Sequence, residues 1–148
     1  MVDVVTRILI HLPRADVADF AGDPDNASQW YVNIRSSRRE DSGPLTAGSK
    51  IAFIASFLGR NLSYTYEVVE LIPGEKLVMR TSQGPFPMQT AYQWTDADSG
   101  TLMSLRNTGQ PSGFSRLTGP VMALMMGRAM RKDLQKLKGI LEAPRSQP

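Results

Sequence analysis

Three tyrosines, Tyr64, Tyr66 and Tyr92, fall at alternating positions beside Phe53, Phe57 and Trp94, and residues 120–130, PVMALMMGRAM, hold four methionines. Phenol hydroxyls set in an apolar wall hydrogen-bond a ligand carbonyl or hydroxyl and fix its orientation. Methionine side chains, unbranched and polarizable, repack around ligands of varied shape. The same residues also serve as plain core filler, since a methionine stripe at helical spacing packs against a sheet whether or not a ligand is present. Both readings require these side chains to face inward.

Stronger chemistry is missing. The chain has no cysteine and one histidine, His11, which excludes disulfides, thiolate zinc sites, a cysteine nucleophile and any multi-histidine metal site. There is no paired-carboxylate pattern, no phosphate-binding glycine loop and no GxSxG elbow. His11 falls on the outward parity of its strand with no carboxylate nearby in sequence to orient it. Arg106 also points outward by parity with Met103 and Leu105, unless a bulge turns it inward, where its planar fork would meet a carboxylate or another ligand oxygen. Asn107 has inner parity near a strand end. Glu70 has it too, but at a strand end where water reaches it. No catalytic residue is assigned, and no metal or cofactor is expected.

The elements that position these residues read as one strand, a small helical insertion, a run of strands and a helix. Residues 4–12, VVTRILIHL, alternate as a strand with Thr6, Ile8 and Ile10 on one face, and Pro13 ends it. RADVADFAG, closed by Gly22, and DPDNASQW, with Asp23 as N-cap and Pro24 at the first helical position, make two short helices. Trp30 ends the second and reads as a plug between the insertion and the sheet, or as a pocket wall.

From Val32 to Thr108, six strand-like stretches are separated by DSGPLTAG, GRN, PGEK, QGP and DADSG, whose Gly, Pro, Asn and Asp residues make turns. Short links and period-2 alternation predict an antiparallel meander with one buried face. Ile51, Phe53, Ala55, Phe57, Tyr64, Tyr66, Val68, Leu77, Met79, Thr90, Tyr92, Trp94, Met103 and Leu105 share that face. Arg35, Arg39, Lys50, Glu67, Arg80, Gln89 and Gln93 point away from it.

A helix is expected over residues 114–142, with Pro120 starting a new segment or kinking the first. At 100° per residue, Ala123, Met126, Met130, Leu134, Leu137 and Leu141 form one stripe toward the sheet, flanked by Met122 and Ile140. Arg128, Arg131, Lys132, Gln135, Lys136 and Lys138 occupy the rest of its second half. Leu117, Val121, Leu124 and Met125 lie on the far side, where a second copy of the chain, another partner or a membrane surface would cover them.

The 148 residues, 41% hydrophobic and 21% charged, suit one globular domain over 1–148, with 143–148 a short tail. No apolar run approaches the roughly 20 residues of a membrane-spanning helix. MVDVVTRILIHLPRAD makes a poor signal peptide, so a cytoplasmic location is the expectation. The net charge of +3 reads as a solvated helix face and not as a nucleic-acid surface, because no aromatic residue is interleaved with the cations to stack on bases.

ILIHLPRADVADFAGDPDNASQW, AGSKIAF at 47–53, YEVVELIPGEKLVMRTSQGPFP at 66–87, SGTLMSLR at 99–106 and RAMRKDLQKLKGILE at 128–142 resemble, in order and spacing, the polyketide cyclase/dehydrase and lipid-transport superfamily. That superfamily is also called SRPBCC or START-like, and includes the birch-allergen type. The resemblance implies an α+β helix-grip fold, a curved antiparallel sheet wrapped around a long C-terminal helix with two short helices after the first strand. It further implies a cavity between sheet and helix for a lipid, polyketide or similar hydrophobic molecule. Phe53, Phe57, Tyr64, Tyr66, Met79, Tyr92, Met103, Met122, Met126 and Met130 are the residues expected to bind it. A cyclase or aromatase acting on such a molecule, and an interaction module or homodimer using Leu117, Val121, Leu124 and Met125, are the alternatives. Fold alone does not choose among them.

Overall fold

The computed structural model describes residues 2–57, 59–110 and 119–143, with the backbone but not the side chain of Phe57. Strand β1 (Val2–Ile10) leads through α1 (Arg14–Ala21), a 3-10 turn (Pro24–Asn26) and α2 (Ala27–Trp30) into six strands: β2 (Ile34–Arg39), β3 (Lys50–Phe57), β4 (Arg60–Ile72), β5 (Lys76–Gln83), β6 (Met88–Ala97) and β7 (Gly100–Gly109). Helix α3 (Gly119–Glu142) follows. Pro120 lies in its first turn, where a missing N–H costs no intrahelical bond. The earlier part of the expected helix, including Leu117, lies outside the described residues.

All seven strands form one sheet in the order β1-β7-β6-β5-β4-β3-β2, and every neighbouring pair is antiparallel. From β2 to β7 the chain is the expected meander. Only β1 departs from it: it pairs with β7, Val2 opposite Gly109 and Ile10 opposite Thr101, so the first two strands occupy opposite edges and the helical insertion spans between them. The register shifts once between β2 and β3 and twice between β4 and β5. Such irregularities bend and twist a strand locally, and they let the thirteen-residue β4 follow a curled sheet. The fold is the helix-grip arrangement that the order of elements implied.

The inner face follows the period-2 alternation of the strands. Ile51, Phe53, Tyr66, Val68, Leu77, Met79, Tyr92, Trp94, Met103 and Leu105 join one buried cluster with Met130, Leu134 and Leu137 of α3. Three assignments to the outer face differ, and one of them is Glu67, which is half-buried between Lys50 and Arg80 on the neighbouring strands. The register shift in β2 sets Arg39 directly opposite Ile51, on the inner side of the sheet, so its side chain is largely covered, with its Nε buried and without a hydrogen-bond partner. Gln89, the second residue of β6, is half-buried and borders the cavity near the strand ends.

Helix α3 runs alongside β1 in the same direction. Its Gly127 faces Val4, Lys138 Nζ donates to the Leu9 carbonyl at 2.6 Å, and Glu142 Oε2 accepts from the His11 N–H at 2.8 Å. The N-terminal half of α3 therefore covers the Val2 end of the sheet, and its C-terminal half the Ile10 end. At the Ile10 end, Gly100 brings β7 so close to β1 that a Cβ there would stand 2.2 Å from the Ile10 carbonyl oxygen, a separation only glycine permits.

Candidate functional site

The two ends of the grip are filled differently. Toward the Ile10 end, Ile10, Val17, Trp30, Ile51, Val68, Leu77, Trp94, Met103, Leu105, Leu134 and Leu137 are buried almost completely. Trp30 is fully covered and packs, tilted by 33°, against Tyr31 with ring centroids 4.1 Å apart, so it plugs the space between insertion and sheet. Toward the Val2 end, side chains stop short of meeting and leave a cavity of about 170 Å³.

Its walls come from distant parts of the chain. Phe53 and Ala55 of β3, Leu62, Tyr64 and Tyr66 of β4, Met79 of β5, Thr90 and Tyr92 of β6 and Asn107 of β7 form the sheet side. Met126, Ala129, Met130 and Asp133 of α3 form the opposite wall. Tyr31, Asn33 and Ile34 close one flank, and Val2, Phe86, Met88 and Gly109 stand near the strand ends. Phe53 stacks on Tyr64 with centroids 5.4 Å apart, and Tyr64 meets Tyr66 edge-on at 5.1 Å. These ring contacts hold the aromatic wall in one arrangement.

Seven of the ten residues expected to bind a ligand border this cavity: Phe53, Tyr64, Tyr66, Met79, Tyr92, Met126 and Met130. Met103 shares their face but is fully buried in the solid end of the core, and Met122 is buried on α3 one turn before Met126; neither borders the cavity. Met103 belongs to the core cluster between sheet and α3. The position of the void along the strands is a separate matter that periodicity does not carry. The side chain of Phe57 lies outside the described residues.

Two polar chains cross the apolar wall. Thr90 Oγ1 donates to Asn107 Oδ1 at 2.6 Å, so the Tyr66 hydroxyl at 2.8 Å donates to Thr90. The Tyr31 and Tyr92 hydroxyls meet at 2.6 Å; one donates to the other, and the second hydroxyl keeps its hydrogen for another acceptor. Burial pushes Tyr31, Tyr64 and Tyr92 well above the ordinary phenol range and Tyr66 up to about 12, so all four are neutral donors at physiological pH.

Asp133 is the residue that sequence reasoning missed. It is 5% exposed on the α3 wall, and its Oδ1 accepts the Val32 N–H at 2.9 Å. Burial raises its pKa to about 6, opposed by that hydrogen bond and by the charge of Lys136. A signal existed: Asp133 lies three residues after Met130 and four before Leu137, within the apolar stripe, while the cations of α3 keep to the other side.

The polar residues considered singly take structural roles. Arg106 points outward and grips Asp3 with both ends of its guanidinium, at 2.9 and 2.5 Å. His11 is exposed at the far end from the cavity, its Nδ1 3.2 Å from the Ser99 carbonyl oxygen. Glu70 pairs with Lys76 at 2.9 Å. Among the described residues no three His, Cys, Asp or Glu side chains gather as a metal site would require, and no helix is long and apolar enough to cross a membrane. On the outer face of α3, Val121 and Leu124 are 44% and 53% exposed.

A curled antiparallel sheet gripping a C-terminal helix, with an apolar cavity left between them, defines the START-like class of helix-grip proteins. The chain belongs to the polyketide cyclase / dehydrase and lipid transport family, whose model matches residues 1–142. Solved structures agree on the fold. A protein of Thermus thermophilus is 17% identical with a TM-score of 0.81, covering 97% of this chain and 99% of its own. A START superfamily protein from Mycobacterium smegmatis is 13% identical with a TM-score of 0.79, covering 95% and 97%. The Zhui aromatase/cyclase of a Streptomyces species is 13% identical with a TM-score of 0.71, covering 95% and 93%. No curated protein matches the chain.

Proposed function

We propose that this protein binds a small, mostly apolar molecule in the cavity between the sheet and α3. The observation that carries the reading is the cavity itself, about 170 Å³ walled by Phe53, Tyr64, Met79, Met126 and Met130 at one end of an otherwise solid core. Close packing is the rule in protein interiors, so a void of this size reflects use more readily than neglect. Ligand apolar surface leaving water would drive binding at roughly 25 cal/mol per Å² before ordering costs. Asn107, Tyr64 and the free hydroxyl of the Tyr31–Tyr92 pair would orient it. Met126, only half-buried, gives the wall some adaptability.

A second reading is catalysis on such a molecule, of the cyclase or aromatase kind. The observation favouring it is that a carboxyl group and neutral phenols share the chamber, where a folded chain would gain rate by proximity alone. A third is pairing of two copies, supported by the exposed Val121 and Leu124 beside the half-buried Met125.

The test is to purify the protein gently from its own cells and compare native with denatured mass. A reproducible added mass released on unfolding is the expected result, and its fragmentation gives the ligand class. A clean chain mass that stays clean after incubation with cell lipid extract would sink the binding reading.

A further inference from the structure

The cavity holds one ionisable group whose packing leaves it incompletely used. Asp133 is 95% covered, yet among the described residues only the Val32 N–H bonds to it, and that bond goes to Oδ1. Among the described residues no cation forms an ion pair with it, and the charge of Lys136, which acts on it, is exposed and screened by water. From other elements, the Tyr31 hydroxyl, beside α2, and the Tyr92 hydroxyl of β6 lie close enough to feel its charge, and they are bonded to each other. A covered carboxylate without a counter-charge and with an acceptor oxygen to spare is costly to keep. It is relieved by a donor brought into the cavity.

We propose that Asp133 receives the polar end of the ligand, and that this end is a hydrogen-bond donor, an amine or a hydroxyl, and not a carboxylate. The proposal rests on the ligand-binding reading above and narrows its ligand class. An ammonium would pair with the carboxylate inside a poorly hydrated wall, where charge-assisted bonds are strongest. A hydroxyl would donate to Oδ2. A fatty acid would find donors at Tyr64 and Asn107 on the sheet side, so shape does not exclude it. Charge does: its carboxylate would share a small chamber with Asp133, and one of the two would have to take up a proton.

The experiment uses the full chain, labelled with nitrogen-15, titrated at pH 7.5 with octylamine, 1-octanol and octanoate, three ligands of equal chain length. Affinities come from amide shifts of cavity residues, and the Val32 amide, bonded to Asp133, reports on the carboxyl itself. Octylamine and 1-octanol are expected to bind at least tenfold more tightly than octanoate and to move the Val32 signal. Asp133→Asn keeps the shape and the acceptor for Val32, and should remove the preference for octylamine and admit octanoate. In the natural protein, lowering the pH to 5.0 should weaken octylamine several-fold, an arm that decides the matter even if the variant does not fold. Equal or tighter octanoate binding, or selectivity unchanged in Asp133→Asn, overturns the proposal and leaves ligand binding standing. Failure of all three ligands to move any cavity residue overturns both.

Discussion

The backbone N–H of Val32 reaches across 101 residues of sequence to bond Asp133 Oδ1 at 2.9 Å. This contact ties the segment after α2 to the middle of α3, at a carboxyl group that borders the cavity. The helical insertion is thus more than a connection between opposite sheet edges: through Tyr31, Val32 and Asn33 it supplies part of the cavity's flank.

Asp133 should make stability depend on pH. Burial raises its pKa from 3.8 to about 6, so the folded chain holds that proton more tightly than the unfolded one. The favourable contribution is complete below about pH 4 and is lost as pH rises through 6. At pH 7.5, Asp133→Asn should be more stable than the natural protein, by roughly 2–3 kcal/mol at about 1.36 kcal/mol per pH unit. The gap should close toward pH 4. Urea unfolding at the two pH values measures it, and a natural protein more stable than the variant at pH 7.5 would contradict the sign.

The Tyr31–Tyr92 hydroxyl pair should show as an interaction energy. Tyr31→Phe or Tyr92→Phe alone removes a bond worth about 1 kcal/mol and strands the partner, whereas the double variant strands nothing. The double-mutant cycle should therefore give a loss smaller than the sum of the singles by about 1 kcal/mol. Strict additivity would mean that the two hydroxyls are independently satisfied.

The solid and hollow ends of the core should respond differently to truncation. Leu137 is 0% exposed in the packed end, and Leu137→Ala should cost about 2–5 kcal/mol by leaving a new void. Met126 is half-buried against an existing one, so Met126→Ala should cost distinctly less and admit bulkier ligands. Denaturant midpoints and a titration with a larger apolar probe test both halves of this contrast.

If the chamber is catalytic, removing phenol hydroxyls should act on turnover more than on affinity. Phe at positions 64, 66 and 92 together should abolish conversion of an accepted substrate while weakening its binding only several-fold. Unchanged turnover would remove these tyrosines from the chemistry.

Pairing of copies through α3 predicts that Leu124→Glu with Met125→Glu lowers the mass in solution from dimer to monomer without altering ligand binding. Sedimentation of both proteins decides it, and an unchanged mass would dismiss that surface.

Local periodicity determined a large part of this protein. Alternation along the strands placed Ile51, Phe53, Tyr66, Met79, Tyr92 and Leu105 on the buried face, turn residues separated the strands, and helical spacing put Met130, Leu134 and Leu137 against the sheet. These are short-range regularities, written in residues a few positions apart. The tertiary structure alone decided where along that face the core gives way to a cavity. Met103 and Tyr92 have the same parity, yet one is sealed in packing and the other borders open space, because the difference depends on where α3 crosses the curled sheet. It also decided that β1 closes the edge beside β7, that Tyr31 meets Tyr92, and that an acid within an apolar stripe finds its partner at Val32. Each of these joins residues tens of positions apart, and no local pattern specifies which distant group will satisfy a buried polar atom.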